Sequence, residues 1–327
     1  MIISRTPLRM SFVGGGSDLP SFYRKFGGAV LSTSINRYIY VNVNRKFDDG
    51  LRIAYSKNEE VDHVDKIEHP LVRATLRHLD ISGGVEVATI ADVPSRGTGL
   101  GSSSSFTVGL LNALSAYLGR HVSCDQLAKD SCHMEIDICA EPIGKQDQYA
   151  AAFGGFNLIE FHKDESALVT PVFMNASARE ILFRRILLFY TGISRSASTI
   201  LKVQSEEVAS DAAKQIALQK MVALTYELRD ELQGGQLDCF GEALHQNWEL
   251  KKSLTAGVSS GALDQWYDTA RSNGAIGGKI LGAGGGGFLM FYAHEHTHDS
   301  IERSLAPLRR VDFGFEPLGS RIIFYHP

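Results

Sequence analysis

The sequence predicts an α+β protein, and three features of element order carry the prediction. The first third is rich in strand-like alternation. Two helices then follow one another directly, without a strand between them. A long helical region near the end is followed by further strands, so regular βαβ alternation is absent. In order, Ile39, Val41 and Val43 alternate with Tyr38, Tyr40 and Asn42, the period of a half-buried strand, and Val85, Val87 and Thr89 repeat the pattern. Leu110, Leu111, Leu114, Tyr117 and Leu118 fall on one helical face. A second helix opens with Ser123 and Gln126, spaced as a capping box, and carries Leu127, Met134 and Ile138 on one stripe. Arg185–Tyr190 (RILLFY) reads as a buried strand. Helical patterns span about 196–233 and 236–254, with Gly234-Gly235 terminating the first. Phe288–Tyr292 reads as a strand, 298–309 as a helix and 321–325 as a closing strand. A division near residue 180 gives expected domains at 1–180 and 181–327.

Bulk properties narrow the function classes. The 327 residues carry 33 Lys and Arg against 37 Asp and Glu, a net charge of -4, which points away from nucleic acid or an anionic membrane as partner. The N-terminal MIISRTPLRM lacks the apolar core of a secretory signal, and no apolar run reaches the roughly 20 residues of a membrane helix. Cys124, Cys132, Cys139 and Cys239 form no C-x-x-C pair and read as reduced structural thiols of a cytoplasmic protein.

The chemistry concentrates in glycine-rich loops. Pro94-Ser95-Arg96-Gly97-Thr98-Gly99-Leu100-Gly101-Ser102-Ser103-Ser104-Ser105 lies between a strand and a helix. Glycines there bring N–H groups close to an anion, and the following helix points its positive end into the loop. Serine hydroxyls at the mouth can take phosphate oxygens or Mg²⁺. A solvated loop with serine caps has the same composition. A Walker A loop does not fit, because Gly278-Lys279 is followed by Ile280. Gly282, Gly284 and Gly287 match G-x-G-x-x-G, but a strand follows where a dinucleotide site needs a helix. Between the loops runs an acidic segment, His133 to Gln148. Glu135 sits at the edge of an apolar stripe and needs a partner, for which Mg²⁺ is suited. Asp147 follows Pro142 and Gly144 and can orient or deprotonate a hydroxyl. His294, His296 and His298 read as solvated turn residues rather than metal ligands.

Three motifs in order resemble the GHMP kinases: Arg5–Arg9 with Phe12–Asp18, Pro94–Ser104, and Lys279–Phe288. The resemblance spans nearly the whole chain. It implies a two-domain fold, with an N-terminal domain like ribosomal protein S5 domain 2 and a ferredoxin-like C-terminal domain. It implies ATP and Mg²⁺ as cofactors. Pro94, Gly97, Gly99, Leu100, Gly101, Ser102, Ser103 and Ser104 would hold the ATP phosphates, and Ser103 and Glu135 the Mg²⁺. Asp147 would be the catalytic aspartate, with Arg9 near the transferred phosphoryl group and Lys145 beside it. Gly14, Gly15, Gly16, Ser17 and Asp18, with Gly284, Gly285 and Gly286, would form the substrate surface.

Galactokinases carry G-E-H-x-D-Y where this chain has Gly14–Leu19, so galactose is disfavoured and room is expected for a larger sugar. The D-glycero-D-manno-heptose 7-phosphate kinases resemble the chain in Arg9–Asp18, Gly144–Phe156 and Tyr190–Ser198, which implies a small sugar phosphate as partner. Its phosphate would need cations, for which Lys145, Arg195 and Lys202 are candidates. Fucokinase domains share some of these features. A non-catalytic sugar-binding or nucleotide-binding protein should lack Glu135 or Asp147, and both are present.

Overall fold

The structure is a computed structural model that describes residues 1–94, 97–194 and 196–326. The chain runs β1 (Ile2–Val13), α1 (Pro20–Phe26), β2 (Gly28–Arg45), β3 (Leu51–Ala54), β4 (Asn58–Val61), α2 (Pro70–His78) and β5 (Val85–Ala91). Three helices follow, α3 (Ser102–Tyr117), α4 (Cys124–Cys132) and α5 (Gln146–Phe153), then β6 (Phe156–Phe161), β7 (Ala167–Pro171), α6 (Ala176–Arg184) and β8 (Ile186–Tyr190). The remainder is α7 (Ala197–Ser210), α8 (Ala212–Gln233), α9 (Cys239–Lys252), α10 (Gly261–Ser272), β9 (Ala275–Ile280), β10 (Phe288–Ala293), α11 (His298–Ser304), β11 (Arg309–Arg310) and β12 (Arg321–Tyr325).

Two sheets organise these elements. The larger runs β12-β1-β2-β5-β3-β4, with β6 on β2 and β7 on β6. The 18-residue β2 serves two neighbours on one edge: Gly28–Thr33 pairs with β6 and Ile39–Arg45 with β5. Its alternation is the predicted one, with Ile39, Val41 and Val43 buried. β1 lies antiparallel along the other edge of β2, from Ile2↔Val43 to Val13↔Leu31. The register slips between Pro7 and Leu8, where proline has no N–H for the ladder. That irregularity comes immediately before Arg9. The second sheet is β11-β8-β10-β9, all antiparallel.

Helices α3, α4 and α5 cover one side of the large sheet, α8 packs on β1 and β2, and α9 touches both sheets. One apolar core runs through this junction, from Leu8, Phe12 and Val41 to Leu228, Phe240, Leu244 and Met290. The long helical stretch predicted at 196–233 is two helices. Asp211 is extended and its carboxylate accepts the N–H groups of Ala213 and Lys214, so it caps α8 and ends α7. Ser123 caps α4 through the Gln126 N–H, but Gln126 turns its amide to Asp130 instead of closing a capping box. The boundary expected at 180 falls inside α6, and β12 belongs to the first sheet, so the residues after 180 do not form one contiguous sheet unit. All four cysteines are free. His298 departs from the expected solvated turn: it is buried and faces the Ala293 carbonyl at 3.2 Å. No group of three or more His, Cys, Asp or Glu is placed to hold a metal among the described residues. Nor is any described helix long and apolar enough to cross a membrane.

Candidate active site

The serine-rich loop delivers its backbone to the start of α3. Gly101 stands at the helix N-cap with φ 74°, a left-handed conformation that a side chain would strain. A Cβ there would also come within 3.3 Å of the Asp147 carboxyl and 3.4 Å of Arg9 Cγ. No acidic residue lies in the first turn of α3, so the positive end of its dipole favours an anion there.

Arg9 fastens this loop. Its backbone N–H donates to Leu100 O at 3.1 Å. Its guanidinium donates to Gly99 O at 2.6 Å and to Asp147 Oδ1, through Nε at 2.8 Å and Nη2 at 2.6 Å. Arg9 is buried, while Asp147 keeps part of its carboxyl exposed. Asp147 Oδ2 has no partner among the described residues.

Glu135 approaches the same loop from another side. The helix after α4 widens over His133–Ile138, and the Glu135 side chain turns fully inward. Oε1 accepts the hydroxyls of Ser103 and Thr107, each at 3.1 Å, and Oε2 accepts Ser104 Oγ at 2.7 Å and Gln148 Nε2. Burial pushes this carboxyl up to about 7, against the pull of those four donors. Gln148 is the residue after Asp147, so the first turn of α5 both carries Asp147 and holds Glu135 beside the loop.

Asp18 forms a third acidic point. It is buried, and it accepts the N–H of Gly16 at 3.0 Å, the N–H of Gln146 at 3.2 Å and the Gln146 amide at 3.1 Å. Burial, then the charge of Asp147, raises its pKa. Gly144 is required beside it, because a Cβ there would lie 1.9 Å from Asp18 Oδ2.

Several expected roles are redistributed. Leu100 is in the core and contributes only backbone. Pro94 is exposed at the loop entrance, and Ser104 is buried against Glu135, whereas Ser103 is exposed. Ser17 is spent on β2, exchanging hydrogen bonds with Ala29 O and N. The space expected at Gly16 is filled: a Cβ would meet the Gln204 amide at 2.5 Å. Gly284 and Gly286 pack on the backbone of Val258 and Ile193, while Gly282 and Gly287 of the same run reach the phosphate loop at Gly99 and Thr98. Lys145 is placed away from the phosphate loop. Its ammonium binds Glu165 Oε2 at 2.5 Å and Glu165 O at 3.1 Å and lies over the Tyr23 ring, so its charge is engaged by Glu165. Lys202 is exposed, and Arg195 lies outside the described residues.

The sequence reading missed the polar wall supplied by α9. Asn247 Oδ1 takes the Gly14 N–H at 3.1 Å, and one turn later the buried Lys251 donates to Gly282 O at 2.6 Å. Lys279 donates to Ser11 O and Phe12 O, pinning β9 to β1; burial and the neighbouring Lys251 and Arg9 charges push it well below the usual lysine range. The available signal was two polar residues, i and i+4, on the apolar side of α9 next to Leu244 and Trp248.

Comparison with known proteins agrees with this arrangement. Residues 67–155 match the GHMP kinases N terminal domain and residues 228–307 the GHMP kinases C terminal domain. The D-glycero-alpha-D-manno-heptose 7-phosphate kinase of Campylobacter jejuni is 30% identical over 307 residues, covering 89% of each chain. The chain belongs to the GHMP kinases. It therefore has the two-domain GHMP kinase fold and is a phosphotransferase with an alcohol acceptor and ATP as donor. A crystal structure of a D-glycero-D-manno-heptose 1-phosphate kinase from Bacteriodes thetaiotaomicron superposes with a TM-score of 0.81 at 25% identity, over 100% of both chains. The L-fucokinase/L-fucose-1-P guanylyltransferase of Bacteroides fragilis is 26% identical over 90% of this chain but 35% of its own length. These relatives make this GHMP kinase a sugar kinase.

Proposed function

We propose that this kinase phosphorylates the anomeric O1 of D-glycero-D-manno-heptose 7-phosphate, giving the 1,7-bisphosphate. The observation that carries the reading is the grip of one helical turn on both acids. Asp147 supplies a carboxylate and Gln148 a donor to Glu135, both next to one glycine-rich and serine-rich loop. The similarity to the heptose 7-phosphate kinase of Campylobacter jejuni supports the choice of sugar.

The donor triphosphate lies along Gly97–Ser103, where the N–H groups at the start of α3 meet its oxygens. Asp147 Oδ2 accepts the proton of the acceptor hydroxyl, while Oδ1 stays on Arg9. The acceptor oxygen then bonds to the γ-phosphorus. The bond from that phosphorus to the β–γ bridging oxygen breaks, and ADP leaves with the electron pair. A free anomeric hydroxyl is more acidic than an ordinary alcohol, so a carboxylate suffices. Asp18 accepts sugar hydroxyls, with Gly14–Gly16 beside it.

Glu135 and Ser103 fit a magnesium ion. A carboxylate pushed up to about 7 by burial lacks compensating positive charge, and an exposed hydroxyl stands against it at the loop. One carboxylate and one hydroxyl are an ordinary protein share for Mg²⁺, the other positions going to water and phosphate. The ion would neutralise phosphate charge as transfer proceeds.

The test is Mg²⁺-dependent ADP release across a panel of sugars and sugar phosphates, with the product located by phosphorus NMR. The reading expects heptose 7-phosphate to give the highest kcat/KM and a new anomeric phosphate. Preference for fucose, or phosphorylation away from O1, would overturn it.

A further inference from the structure

Helix α9 joins two glycine loops that lie far apart in sequence. Asn247 holds Gly14 of the first, and Lys251 holds Gly282 of the last. Gly282 in turn packs on the phosphate loop: a Cβ on it would lie 2.5 Å from Gly99 Cα. The Gly99 carbonyl accepts from Arg9. Two buried cations, Arg9 and Lys251, therefore reach one backbone crossing through its two strands, and both act on Asp147.

We propose that Lys251 is a second phosphoryl-binding cation, facing the group in transit from ATP to the acceptor across the Gly99–Gly282 crossing from Arg9. This rests on the kinase reading above. An ammonium has three N–H donors, and Lys251 spends one, on Gly282 O. It forms no ion pair among the described residues. A neutral amide would serve equally well to hold one carbonyl, and it would avoid burying a charge. A buried cation with spare donors is explained by an anion that arrives only with substrate. Phosphoryl transfer spreads negative charge over three equatorial oxygens, more than Arg9, itself engaged by Asp147 and Gly99, can meet alone.

The charges around Lys251 also give a readout that a structural staple would not. Burial, with the Arg9 charge, lowers it to about 8 against the pull of Asp18 and Asp147, and Lys279 adjoins it. The cation is present below that pH and lost above it. An arginine in its place stays charged throughout.

The experiment uses the full chain, wild type, K251M and K251R, with whichever sugar gives the highest kcat/KM. Products are counted by phosphorus NMR from pH 6.5 to 9.5. K251M is expected to lower kcat about 10²-fold or more, the scale for losing one preorganised charge on a transition state, with KM values changed less than about threefold. Wild-type kcat/KM is expected to fall above about pH 8, and K251R to lose that limb. K251M with near-wild-type kcat, a loss confined to the KM of phosphorylated sugars, or a K251R profile matching wild type would overturn the proposal. Absence of turnover with every sugar in the wild type would instead overturn the functional reading beneath it.

Discussion

Replacing Glu135 with glutamine should stabilise the protein at alkaline pH while weakening its response to magnesium nucleotide. The carboxyl is fully buried, and its pKa rises from 4.5 to about 7. A raised carboxyl pKa means the folded state holds the proton more tightly than the unfolded chain. Its contribution is fully present below pH 4.5, declines as pH rises, and is lost above about 7. The rise from 4.5 to about 7, at ~1.4 kcal/mol per pH unit, makes that loss about 3.5 kcal/mol. Glutamine has no charge to bury. The hydroxyls of Ser103, Ser104 and Thr107 can rotate to satisfy it, and the Gln148 amide can turn. Urea unfolding in a chelating buffer from pH 4.5 to 8 measures the difference, which should grow by about 3.5 kcal/mol in favour of E135Q. Magnesium nucleotide should narrow the gap, because a ligand at 100 times its Kd adds about 2.7 kcal/mol to the form that binds it. A difference that stays constant with pH would refute the reasoning, since no buried charge would then be titrating.

Asp147→Asn should lower turnover by about 10²-fold or more, the scale of general-base loss, and leave the ATP Kd, measured by calorimetry, within about threefold. Gly144→Ala would place a methyl 1.9 Å from Asp18 Oδ2. Its expected cost is about 1–3 kcal/mol in urea unfolding, with a raised KM for the sugar, as overpacking moves Asp18. Lys145→Ala should change kcat/KM less than about threefold and stability by about 0–1 kcal/mol, because its partner is the largely exposed Glu165. A large catalytic defect in that variant would place Lys145 back in the site.

The fold was legible where physics is local. The alternation in β2 and the RILLFY run became strands because side-chain burial sets a period that neighbouring residues reveal. Glycine spacing marked the loop, and the acidic segment supplied Glu135 and Asp147 as its candidate partners, although a solvated loop would share the composition. The Asp211 cap was visible in principle, but two continuous helical patterns flank it. Direction was harder. Lys145 stands two residues from Asp147, yet its long side chain follows Glu165 and Tyr23, contacts made across 20 and 122 positions of chain. Lys251 looks like one more surface charge until α9 is laid between the two sheets. The partner of β12 depends on a pairing 316 or more positions apart, which no window of sequence displays.

That last pairing bears on how the protein is made. β12 borders β1 along Ile2–Arg5, and Thr6 meets Ser320 through a hydroxyl contact of 2.7 Å. While the ribosome is still short of residue 321, β1 has β2 on one flank and bare amides on the other. An open rim of this kind invites pairing with foreign chains. The β1 edge is closed only by residues 321–325, so a fragment of residues 1–180 would be a half-built sheet awaiting its hem.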